Sequence, residues 1–127
     1  MDARILLAPA LVIGLSTANA TEYRFVATDT TPETLMCVAA GNNNTGKLRM
    51  AMTRQSGSIR YHANSIACNG KSMAQFAHQY GADKTYALLA AHSYDRHKAI
   101  ESVTIKDLSA ANTERSDEIV YVMVSSR

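Results

Sequence analysis

The apolar positions of this chain fall into segments of different period, and each period predicts a different element. The first segment, MDARILLAPALVIGLSTANA, runs apolar from Ile5 to Leu15, broken only by Pro9 and Gly14. Arg4 precedes the run, and Ala18-Asn19-Ala20 closes it with small residues, which is the pattern of a secretory signal peptide cleaved after Ala20. As a helix the run would span about 16 Å, roughly half of a bilayer core, so it is too short for a membrane anchor.

Beyond Ala20 the pattern becomes that of a small α+β domain. Tyr23, Phe25 and Ala27 alternate with Glu22, Arg24 and Val26, the period of a short strand. Thr31-Pro32-Glu33 supplies an N-cap, a proline for the first turn and an acid, so a helix starts there. Leu35, Val38 and Ala39 form its expected apolar face, and Gly41 with three asparagines ends it. A second helix is expected from Lys47 to Ser56, with Leu48, Ala51, Met52 and Gln55 on one face and Gly57 closing it. Ile59 to His62 alternates like a strand, although Ala63-Asn64-Ser65 does not extend the pattern. Asn69-Gly70 marks a turn. Ser72 caps a third helix whose apolar face is Met73, Phe76, Ala77 and Tyr80, and Gly81 ends it.

The character changes after Lys84. Thr85 to His92 is alanine-rich and fits either a helix or a buried strand. Ser102 to Leu108 alternates, and Ile119 to Val124 is a continuous β-branched and aromatic run. These two are expected to pair as a C-terminal antiparallel β-hairpin around the polar stretch Ser109 to Asp117. The expected fold is therefore one α+β domain over 21–127. Three short helices in a disulfide-clipped part, 21–81, pack against a β-rich part, 82–127.

Composition narrows the class. With 127 residues there is room for one domain, and an apolar fraction of 46% is too high for disorder. Thirteen basic against eleven acidic residues exclude a strongly basic nucleic-acid arm. The two cysteines are Cys37, in the first helix, and Cys68, before the turn. In an exported protein they are expected to join, and no C-x-x-C is present to suggest redox or metal work. A crosslink closing a loop of roughly 30 residues stabilises by about 3.7 kcal/mol in the chain-entropy account.

Several stretches carry a resemblance: FVATDTTPETLMCVAA, the basic KLRMAMTR, IACNG and SMAQFAHQYG. Together they resemble an uncharacterised family of small exported bacterial proteins defined by a domain of unknown function. The resemblance covers Tyr23 to Gly81 and is most specific at Cys37-Val38-Ala39-Ala40 and Cys68-Asn69-Gly70. It implies a Gram-negative envelope location and a Cys37–Cys68 pair, and it implies no catalytic residue.

Candidate chemistry is sparse. Between Glu33 and Asp83 there is no acid, while Lys47, Arg49, Arg54, Arg60 and Lys71 all fall there. Lys47, Arg49, Arg54 and Arg60 form the candidate face for an anionic partner, competing with a plain solvated helix face. His92-Ser93-Tyr94-Asp95-Arg96-His97 holds two imidazoles five apart. That spacing turns them about 140° from one another on a helix, so only a loop could aim both at one ion. His62 and His78 read as partly buried, hydrogen-bonded residues. Met50 and Met52 lie about 200° apart on a helix, so a thioether pair for copper is less expected than core packing. No nucleophile elbow, phosphate loop or dinucleotide fingerprint occurs, and no catalytic residue, metal set or cofactor is expected. The expected function is that of a non-catalytic exported envelope protein that binds a protein or an anionic surface rather than nucleic acid. The alternatives are a small periplasmic enzyme using His and Asp residues, and a metal-handling protein using His and Met.

Overall fold

The computed structural model describes residues 21–99 and 118–127. The expected signal peptide 1–20, the expected strand Ser102 to Leu108 and the whole polar stretch Ser109 to Asp117 lie outside the described residues. The elements run β1 (Glu22–Ala27), α1 (Pro32–Gly41), α2 (Thr45–Thr53), α3 (Ile59–Ser65), β2 (Ala67–Cys68), β3 (Lys71–Ser72), α4 (Met73–Gln79), α5 (Asp83–His92), a short 3₁₀ turn (Asp95–His97) and β4 (Ile119–Val124). The α+β class stands, with five α-helices rather than three among the described residues. No helix among them is long and apolar enough to cross a membrane.

Two expectations are corrected. Ile59 to His62 is helical, because the Ser58 hydroxyl accepts the Tyr61 N–H at 3.1 Å and starts a helix there. The part after Ala82, expected to be β-rich, opens with the helix α5.

The hairpin also differs. Among the described residues β4 pairs with the N-terminal strand β1, and the pairing is parallel, with Phe25 opposite Val122. Parallel strands need a long crossover, and here the whole helical part forms it. Alternation along β4 sends Val122 and Val124 inward and leaves Ile119, Tyr121 and Met123 exposed.

Local chemistry explains the helix starts. The Thr31 hydroxyl accepts the Thr34 N–H, with Pro32 in the first turn of α1. Just upstream, the exposed Asp29 carboxylate accepts the Thr31 hydroxyl at 2.7 Å and the Thr31 N–H at 3.0 Å. Those hydrogen bonds hold its carboxyl below the ordinary aspartate range. Ser72 and Gln75 close a reciprocal capping box on α4.

The core sits between the helices. Phe76, Met36, Leu48, Met52, Met73 and Leu89 are fully buried. Phe25 joins β1 to it, edge-on to Phe76 at 5.7 Å and to Tyr80 at 5.1 Å. The Phe25 ring lies so close to α1 that a Cβ on Gly41 would fall 2.7 Å from it, so the glycine makes room for the strand. Burial among these rings pushes the Tyr80 phenol up, with Tyr23 adding to the shift. Cys37 and Cys68 form a disulfide that ties α1 to β2.

Candidate functional site

The disulfide also sets which way α1 faces. Cys37 is drawn into the core by its bond to Cys68, and Met36 and Ala40 are buried with it. Their neighbours at the opposite side of the helix then turn outward. Leu35, expected in the core, is 49% exposed, and Val38 is half-buried. This corrects the expected apolar face of the helix: of Leu35, Val38 and Ala39, only Ala39 is buried.

α2 completes the feature. It begins at Asn44, whose side-chain oxygen accepts the Lys47 N–H at 3.0 Å. Leu48 and Met52 go to the core, as the apolar spacing requires. Lys47, Met50 and Arg54 turn to the other side, and the half-buried Ala51 stands between the two sides, packed against the core and also lining a groove shared with α1. Between the two helices lies an open groove of about 620 Å³. Its floor is apolar, from Leu35, Val38 and Ala39 on one wall and Met50 and Ala51 on the other. Asn42, Asn44, Lys47 and Arg54, all exposed, supply its polar lining. No acid lines it. Met50 is 53% exposed, and an Arg54 Nη donates to its sulfur at 3.4 Å, which lays the guanidinium along the apolar edge.

The four basic residues singled out from the sequence therefore separate in space. Lys47 and Arg54 both line the groove, two helical turns apart along α2. Arg49 is exposed, but at two residues from Lys47 it points about 200° away around α2. Arg60 lies on α3, its guanidinium 5.0 Å from the centre of the Tyr94 ring, with Arg96 4.9 Å from the same ring. The groove's apolar half was missed in the sequence. The sign of it was the width of the run Leu35 to Ala40, too continuous for one buried face of a helix.

The histidines are dispersed. Asn64 donates from Nδ2 to the carbonyls of Arg60 and His92, which leaves its Oδ1 to accept the Tyr94 N–H and His97 Nδ1–H, each at 2.8 Å. His92 Nδ1 contacts the Leu88 carbonyl at 3.0 Å. His62 is buried, and its Nε2 has no hydrogen-bond partner among the described residues, in place of the partly buried, hydrogen-bonded residue expected. His78 is exposed against the Tyr86 ring at 5.1 Å, in place of the partly buried, hydrogen-bonded residue expected. The described residues contain no group of three or more His, Cys, Asp or Glu arranged to hold a metal ion. Met52 is buried while Met50 borders the groove, so the two thioethers face different sides.

Comparison with curated proteins and with solved structures yields no match. A family described as protein of unknown function (DUF3718) matches residues 36–110. The match includes both cysteines and nearly all of the groove. It begins and ends later than the stretch Tyr23 to Gly81 read from the sequence, and it leaves β1 and β4 outside. Spanning more than half of the chain, that match makes this protein a member of the DUF3718 family.

Proposed function

We propose that this is an exported, non-catalytic binding protein whose groove between α1 and α2 receives an anionic partner. The observation that carries the reading is that Lys47 and Arg54 line one apolar groove, which no acid lines among the described residues. Exposed apolar surface beside cations suits a partner that carries both an apolar part and negative charge. The groove's chemistry supports binding over turnover: its lining is aliphatic, thioether, amide and cationic, with no nucleophile beside a base. The Cys37–Cys68 disulfide supports export, because such bonds persist in oxidising compartments, and the first twenty residues carry a signal-peptide pattern. The mature domain is then 21–127, placed in the periplasm or outside the cell.

The test is retention on phosphatidylglycerol vesicles at low salt. The native protein is retained. Exchange of Lys47 and Arg54 together for Glu abolishes retention, while Arg49→Glu on the same helix leaves most of it. Retention that survives the double exchange rejects the groove as the site, and equal loss from Arg49→Glu reduces it to diffuse surface charge.

A further inference from the structure

We infer that the groove's occupant is a single-chain anionic amphiphile, an unbranched acyl chain ending in a carboxylate or a phosphate. The inference rests on the reading above that the groove binds an anionic partner, and it names the chemical class. The division of the lining is the first argument. Leu35, Val38, Ala39, Met50 and Ala51 make a floor with no charged atom to satisfy, which suits a hydrocarbon tail. Lys47 and Arg54 line the same groove and are both exposed, so a head group held there would remain partly in water.

Size is the second argument. The groove holds about 620 Å³, within the range of small-molecule sites. A volume of that order accommodates an extended acyl chain.

Head-group chemistry is the third. Lys47 and Arg54 are separated by two helical turns, about 10 Å along α2. Arg54 rests its guanidinium against the Met50 sulfur, and a guanidinium can fork onto two oxygens. Carboxylate and phosphate both offer that pair of oxygens. Met50, unbranched and half-exposed, can repack along tails of different length.

The test is calorimetric titration of the mature chain, disulfide intact, with palmitate, with 1-palmitoyl lysophosphatidate and with cetyltrimethylammonium, each below its micelle concentration. One equivalent of palmitate or lysophosphatidate binds, and the cationic amphiphile binds at least about tenfold more weakly. The tighter of the two anions tells carboxylate from phosphate. Ala51→Phe, which fills the floor, removes binding. Leu35→Glu, at a position already half in solvent, does the same without loading the core. Equal affinity for the cationic amphiphile overturns the anionic head group. If neither anion binds while vesicle retention still depends on Lys47 and Arg54, the acyl-chain inference fails and the anionic-partner reading survives. If that dependence is also absent, both fail.

Discussion

At the scale of single residues, Asn43 does more than its place in a loop suggests. It adopts a left-handed backbone, φ 58°, between α1 and α2. Its side-chain oxygen accepts the N–H groups of Lys84 at 2.7 Å and Thr85 at 3.1 Å. Those are among the first donors of α5, whose own N-cap, Ala82, has no side chain that could serve. Thr85 returns the contact: its buried hydroxyl donates to the Ala40 carbonyl at 2.6 Å. One asparagine thus joins the loop at the end of the groove to a helix 40 positions later. Glycine accepts the same left-handed backbone, so Asn43→Gly isolates the side chain. We expect it to lower stability by about 1–2 kcal/mol, the cost of leaving two helix N–H groups without their acceptor. Asn43→Asp, which keeps an acceptor at the positive end of α5, stays near native. Urea unfolding of both variants at neutral pH measures this, and a native-like midpoint for the glycine variant shows that the cap carries no weight.

At the scale of elements, what could be read from the sequence is what has a local cause. The starts of α1 and α4 were legible because Thr31-Pro32 and Ser72-x-x-Gln75 act within one turn. α3 was misread because four alternating residues fit a strand, yet its helical period was present in Ile59, His62, Ala63 and Ile66, all turned inward behind the Ser58 cap. α5 was ambiguous because its cap stands on another loop. The cations of the candidate site were legible as charge, while its apolar lining was not, because the rotation of α1 goes with Cys37 reaching Cys68 across the fold. That dependence is testable. Replacing both cysteines by serine frees the rotation, so stability falls by about 2–4 kcal/mol. Vesicle retention weakens too, although Lys47 and Arg54 are untouched. Urea midpoints and the vesicle assay read the two effects, and retention that stays native means that α1 holds its orientation by packing alone.

At the scale of the whole molecule, the two ends of the described chain close on each other. β4 is bound on one side by β1 and on the other by the turn after Cys68. Thr28 donates both its N–H and its hydroxyl to the Val124 carbonyl. Across from them, Asn69 exchanges hydrogen bonds with Ser125: its N–H reaches the Ser125 carbonyl, and its Oδ1 accepts the Ser125 N–H. Its Nδ2 reaches the Met123 carbonyl at 2.9 Å, and the Gly70 N–H reaches the Arg127 carbonyl at 2.6 Å. Asn69 holds a left-handed backbone to do this, φ 49°, which gives the Asn69-Gly70 turn a structural task directly beside the disulfide. The C-terminal ten residues therefore seal two separate parts of the fold. Removing them uncovers Phe25 and strips away Val122 and Val124, each buried valine contributing about 1.5–3 kcal/mol. Net stabilities of small domains are only about 5–15 kcal/mol, so the loss is a large share of the whole. We expect a chain ending at residue 117 to lose its cooperative unfolding transition while keeping much of its helical signal, since α1 and β2 remain tied by the disulfide. Circular dichroism in the far and near ultraviolet through a urea series separates these signals. A sharp transition in the shortened chain would mean that the disulfide-clipped helices form a folding unit without the strand pair.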